Sequence, residues 1–248
     1  MDTGSLESLI ARCIRELEAR GLPVPGPGHS PVPSDASTGS ASRGMVDGAG
    51  AGRSKGFAVA VGVSNRHVHL CERDFEALFG AEAARRGLAK LRDLSQPGQF
   101  VAHEVVSLVG PKGSIHSVRV LGPLRAKTQV EVSRTDAYAL GISPPVRDSG
   151  DVEGSAPIVL TGPGGIASLK EGAIITARHI HMKPEEASRW GLGDGDRVEV
   201  EVPGPRGLAF REVLVRVSET FRLEMHVDTD EANAALLRNG DFVEAVCR

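Results

Sequence analysis

Two short stretches concentrate side chains able to hold a metal ion: Arg66-His67-Val68-His69-Leu70 and Arg178-His179-Ile180-His181-Met182. Side chains alternate along a β-strand, so His-x-His puts two imidazoles on one face, about 6.5–7 Å apart at their Cα atoms. Both then reach a single divalent cation. One such pair is a weak signal, whereas two in matching Arg-His-aliphatic-His-aliphatic frames are much stronger. A third donor follows each pair at an equivalent position: Glu131 in Gln129-Val130-Glu131-Val132 and His226 in Glu224-Met225-His226-Val227. Three protein ligands with open positions describe a catalytic metal site rather than a closed structural one. Imidazole and carboxylate without thiolate suit zinc, with iron, manganese or cobalt as substitutes. If the two pairs face each other, the sites merge into a two-metal cleft that holds an anionic oxygen substrate and polarises a carbonyl. Arg125, on the Gly-Pro turn of LGPLR, carries the planar fork suited to phosphate or carboxylate. Arg66 and Arg178 point to the opposite strand face and read as structural. Cys71 would share the histidines' face if its strand continued, and is the candidate for a covalent acyl route; direct transfer is the favoured reading.

The elements that must position these groups are short strands. FAVAVGVS, FVAHEVVSLVG, IHSVRVLG, TQVEVS, PIVLTG, AIITARHIHM, RVEVEVP, REVLVRVS and RLEMHVD are punctuated by Gly, Pro and Asp turns. Helical candidates lie only near 73–91, 183–191 and 230–238. Many strands and few helices predict closed or nearly closed barrels rather than a doubly wound sheet. The histidine pairs repeat at a displacement of 112 residues (67 to 179) and the third donors at 95 (131 to 226). The expected fold is therefore mainly β: two β-barrel domains related by internal duplication, with short capping helices. The first unit is drawn over 56–165 and the second over 166–248. The extra length of the first copy fits an insertion around GLAKLRDLSQ.

Composition excludes several functions. The 248 residues carry 29 Lys plus Arg against 32 acidic residues, for a net charge of −3, with one Trp and one Tyr. Neither a basic surface nor a base-stacking platform for nucleic acid is present. No apolar run nears the roughly 20 residues needed to span a membrane. Three widely spaced cysteines suit a reducing cytoplasm. Residues 1–21 carry an apolar stripe (Leu6, Leu9, Ile10, Cys13, Ile14, Leu17) at helical spacing. Residues 22–55 are Pro-, Gly- and Ser-rich and read as a mobile linker. So short an amphipathic helix needs a partner surface. It either folds back on its own body or self-associates, or, as favoured, is a detachable docking helix for another protein.

The blocks VGVSNRHVHL, QPGQF, LVGPKG, VRVLGPLR, TQVEVSRTDA, LGI, PVRDSGD, RHIHM and LEMHVDTDEANA occur in order from Phe57 onward. Together they resemble the PduL-type phosphate propanoyltransferases, the phosphotransacylases of bacterial microcompartments. The resemblance implies two barrels, with an early strand joining the barrel built mainly from the C-terminal portion. It implies an enzyme exchanging the thiol of coenzyme A for phosphate on a short acyl group, and two zinc ions at the domain interface. His67, His69 and Glu131 match the ligands of one ion, and His179, His181 and His226 those of the other. Arg125 matches the phosphate-holding arginine, and Ser64, Lys90, Arg119 and Asn233 sit in blocks used around coenzyme A. Residues 1–21 then read as an encapsulation-type helix contacting shell or cargo proteins in a microcompartment lumen. Whether the enzyme forms a homodimer or larger oligomer stays open. A zinc-dependent acyl-CoA thioesterase and a non-catalytic metal-binding cargo adaptor are the competing readings. His103, in QFVAHEVV, reads as a surface histidine.

Overall fold

A computed structural model describes residues 56–247; the helix expected over 1–21 and the linker over 22–55 lie outside the described residues. Alternating burial runs along the strands. In β1 (Gly56–Ser64), Phe57, Val59 and Val61 turn inward and Ala58 faces out, the pattern of a strand with one wet face.

Two rings of six strands close. In the first, β2 (His67–His69) pairs with β5 (Ser114–Gly122), which pairs with β4 (Phe100–Val109). β4 pairs with β8 (Ala156–Gly162), β8 with β9 (Gly165–Thr176), β9 with β6 (Gln129–Glu131), and β6 again with β2. Two short strands are additions: β3 (Lys90–Asp93) lies along the start of β4, and β7 (Val146–Arg147) along the end of β9. The second ring runs β10 (His179–Met182), β12 (Leu208–Val217), β11 (Arg197–Val202), β14 (Phe242–Val246), β1, β13 (Glu224–Asp228) and back to β10. Each ring encloses its own apolar core, Val68, Leu70, Leu108 and Leu160 in the first and Val61, Ile180, Val200 and Met225 in the second.

The rings match pairing by pairing. β2–β5 and β10–β12 are parallel, β2–β6 and β10–β13 antiparallel, and β6–β9 and β13–β1 parallel. β9 and β1 are therefore equivalent, and each precedes the histidine strand of its own half while closing the ring of the other half. Each half lends its first strand to its twin, which ties the barrels together. β9, at the start of the second half, thus completes the first ring, as β1 completes the second.

Helices cap the strands. Gly80 and Gly87 adopt φ of +87° and +77°, conformations that glycine tolerates best, so the helix expected over 73–91 becomes α1 (Glu72–Phe79) and α2 (Ala81–Arg86), followed by β3. The helices expected near 183–191 and 230–238 are α4 (Pro184–Trp190) and α5 (Thr229–Ala235). α3 (Arg134–Leu140) was not anticipated. It and α5 start with equivalent capping boxes, Ser133 with Asp136 and Asp228 with Glu231, each directly after a third-ligand strand.

Candidate active site

In-register pairing fixes where the donors stand. His67 lies opposite Glu131 across the β2–β6 ladder, and His179 opposite His226 across β10–β13. On one face of such a pair, directly opposed Cβ atoms sit about 4.5–5.5 Å apart, so the donors converge without a loop. In both triads, His67/His69/Glu131 and His179/His181/His226, the donor atoms all lie within 4.8 Å of one another. The His67 ring approaches Glu131 with Nε2 3.3 Å from Oε2, and the His179 and His226 rings stack with centroids 5.1 Å apart.

The surroundings of the triads are twinned as well. Nδ1 of His67 donates to the Asn65 carbonyl at 2.8 Å, and Nδ1 of His179 to the Ala177 carbonyl at 2.8 Å, which turns both Nε2 atoms toward the site. Arg66 pairs with Asp136 at 2.8 Å and Arg178 with Glu231 at 2.5 Å, so the residue before each histidine pair is pinned to the helix after the third ligand. These two arginines are structural. The twins also meet directly: the Thr135 amide donates to Asp230 Oδ2 at 2.8 Å.

The triads differ electrostatically. Burial pulls the His67 pKa down, but the Glu131 carboxylate outweighs it and leaves the pKa raised. Burial pushes the Glu131 pKa up, yet His67 and the hydrogen bonds around the carboxylate hold it well below the ordinary value. Burial, then the neighbouring His67 charge, drives His69 well below its usual value. In the all-histidine triad, burial and the mutual repulsion of the rings lower His179 to about 4 and His181 to about 2. His179 and His181 are therefore neutral imidazoles at pH 7. Each triad also contains a buried ring nitrogen without a hydrogen-bond partner, Nδ1 of His69 and of His181. Buried polar atoms are seldom left so, and neutral, converging donors are the state a divalent cation requires. The residues fit a metal in both places.

Both triads line one cleft of about 850 Å³ between the barrels. Arg125 lines it too, its Nη1 donating to Ser149 Oγ at 3.1 Å. Ser149 is a hub that the sequence did not reveal: its hydroxyl donates to Glu131 Oε1 at 3.0 Å and accepts from Gln129 Nε2 at 2.9 Å. One serine thus couples the Arg125 guanidinium to the Glu131 carboxylate. A wall of the cleft comes from the first half's insertion. Gln96 Nε2 donates to the Arg222 carbonyl at 3.0 Å and Ser95 hydrogen-bonds Glu224, fastening the loop before β4 to the second barrel.

Comparison with known proteins now decides the family. The phosphate propanoyltransferase family model matches residues 60–238. The chain belongs to the phosphate propanoyltransferase family. It is 57% identical over 189 residues to the phosphate propanoyltransferase of Thermotoga maritima, covering 76% of this chain and 89% of that one. The enzyme of that name from Rhodopseudomonas palustris is 50% identical over 192 residues (77% and 83%). That from Salmonella typhimurium is 49% identical over 178 (71% and 83%).

Within this phosphate propanoyltransferase cleft, the remaining expected residues divide. Ser64, at the end of β1, and Arg119, on β5, line the cleft. Lys90 is exposed on β3 and paired with Asp93 at 2.9 Å, and Asn233 is exposed on α5; neither lines it. Asn239 lines the cleft instead, accepting from the Val63 amide at 2.7 Å. Cys71 does not share the histidines' face. The strand ends at His69 and Cys71 is the N-cap of α1, its amide donating to Thr128 Oγ1 at 3.0 Å, outside the cleft. His103 is exposed.

Proposed function

We propose that this enzyme moves a short acyl group, acetyl or propanoyl, between coenzyme A and inorganic phosphate, reversibly and without a covalent acyl-enzyme. The observation that carries the reading is the convergence of two metal-fitting triads and a guanidinium on a single cleft between the barrels. Zinc is the ion the donors suit best, His67, His69 and Glu131 holding one and His179, His181 and His226 the other. Bound there, zinc would supply Lewis acidity toward a carbonyl or phosphate oxygen.

The chain's own groups do the positioning. A cleft of about 850 Å³ is of the size that takes a cofactor-bearing substrate. Arg125, steadied by Ser149, presents a fork to phosphate oxygens and aims the nucleophile at the thioester carbon. Holding both reactants in register removes entropy that would otherwise be lost in the barrier, an effect worth about 7–11 kcal/mol at best. Ser64 and Arg119 contact coenzyme A. Phosphate adds to the carbonyl carbon, the C–S bond breaks, and the thiolate leaves as free coenzyme A. Among the described residues, Cys71 is the one cysteine close in sequence to a histidine pair, and it is turned away into a cap, which supports direct attack. Outside the body, residues 1–21 dock on shell or cargo proteins of a microcompartment, with 22–55 as the tether.

Thiol release from acetyl-, propanoyl- and butanoyl-CoA, with and without phosphate, tests this on purified protein of measured metal content. Phosphate-dependent acyl phosphate formation that a chelator abolishes is expected. Free acid formed without phosphate would make the protein a thioesterase, and absence of all turnover a metal-binding adaptor.

A further inference from the structure

We propose that Arg216 is a second phosphate-binding residue of the cleft, working opposite Arg125; the proposal rests on the acyl-transfer reading above. Arg216 stands on β12 and is paired in register with His181 across the parallel β10–β12 ladder. In-register neighbours on parallel strands project to the same face, so the guanidinium rises beside the second triad. It is half-buried and lines the same cleft as Arg125, Glu131 and both histidine pairs.

The charge balance points to an anion. Among the described residues no carboxylate comes within ion-pair distance of Arg216, and Arg125 has only the neutral Ser149 hydroxyl as a side-chain partner. The two cations nonetheless feel one another: burial lowers the pKa of Arg125, Glu131 opposes this, and the Arg216 charge lowers it further. Two half-shielded guanidiniums facing one cleft repel each other unless something negative sits between them. Inorganic phosphate, the co-substrate, carries between one and two negative charges at neutral pH and offers oxygens to two forks at once.

The duplication supplies a second line of argument. Displacement by 95 residues superposes the capping boxes and third ligands of the two halves, and carries Leu121 onto Arg216 and Arg119 onto Leu214. The apolar residue at 121 is accepted at the same barrel position, so the scaffold does not need an arginine there. Each barrel sets one arginine beside its histidine pair, Arg119 in register with His67 and Arg216 with His181. Arg119 is tied down, its Nη1 donating to the His103 carbonyl at 3.0 Å. Arg216 has no such bond among the described residues.

The test compares Arg216→Gln and Arg216→Lys with wild type by steady-state kinetics in both substrates, with metal content and unfolding temperature measured alongside. Wild-type acyl phosphate formation must be phosphate-dependent; its absence would overturn the underlying acyl-transfer reading, independently of Arg216. Given that activity, Arg216→Gln is expected to raise KM for phosphate about 10- to 100-fold, with KM for acyl-CoA changed less than twofold and two metals retained. Arg216→Lys should recover part of the loss. Should Arg216→Gln fail to fold, the wild type and Arg216→Lys are titrated with inorganic phosphate by calorimetry, where equal affinities would overturn the proposal. An unchanged KM for phosphate, or a rise confined to acyl-CoA, would overturn it equally.

Discussion

Glu131→Gln separates the metal role of the first triad from its role in the fold. The carboxylate is buried and accepts from Gln129 Nε2 at 2.6 Å and Ser149 Oγ at 3.0 Å on one oxygen, and from Thr176 Oγ1 on the other. An amide oxygen keeps the first two partners, and the Thr176 hydroxyl turns to accept from the new NH₂ group. The metal-free fold therefore keeps these three partners and loses the ion pair of Oε2 with His67 Nε2, a cost of about 1–2 kcal/mol, or roughly 2–8 °C in Tm for a body of this size. The metal site loses its one anionic ligand. An ion present at 1,000 times its Kd stabilises by about 4.1 kcal/mol, or roughly 8–16 °C per site. Elemental analysis after dialysis should fall from two metals per chain to one. The Tm gap between metal-loaded and chelated protein should shrink by about half while the chelated forms stay within roughly 8 °C of each other. A variant that keeps two metals per chain and the full gap would refute the assignment of Glu131 and the geometry behind it.

Three further outcomes follow from the same structure. Cys71→Ala should keep turnover within about twofold of wild type, with both metals bound, because the thiol's partners, Thr128 at 3.3 Å and Asp74, lie outside the cleft; loss of activity with metals intact would restore the covalent route. Asp74→Asn should lower the stability of chelated protein by about 1.5–3 kcal/mol at pH 7. Burial raises the Asp74 pKa, but hydrogen bonds from Thr128, Arg73 and Cys71 hold it below the ordinary value. The carboxylate's contribution is therefore full above the ordinary Asp pKa and fades as pH falls through the lowered folded pKa, so urea titrations of variant and wild type should converge as pH is taken below the ordinary carboxylate range. Deleting residues 1–50 should leave kcat and metal content unchanged, since the described body holds both rings; a catalytic loss measured by thiol release would tie the segment to the site.

What the sequence discloses here is what is local or repeated. The histidine pairs declare themselves because strand alternation is a two-residue rule, and Glu131 and His226 because a duplication prints the third donor twice. The exchanged first strands were not legible from spacing, since nothing in GFAVAVGVS or GIASLKEGAIIT says which ring it will close; that is settled by pairing over 160 residues away, Val61 with Met225. α3 escaped notice although the Ser133–Asp136 capping box was there to read. Lys90 and Asn233 lie in matching blocks yet face solvent outside the cleft, which block order alone does not reveal.

The duplication also explains why the chemistry sits where the twins disagree. Strand pairings, capping boxes, pinned arginines and carbonyl-held histidines are the same in both halves, so they are the framework that brings donors together. The departures cluster on the cleft: Glu131 against His226, Leu121 against Arg216, Arg125 against Thr220. Through the first departure one triad holds a carboxylate beside a histidine of raised pKa, and the other holds three imidazoles, of which His179 and His181 are neutral at pH 7. A cation entering the first triad must displace a shared proton below the raised His67 pKa, whereas one entering the second displaces none from His179 or His181 near neutrality. Identical scaffolds thus present two chemically distinct sites to one substrate, and a symmetric pair would not.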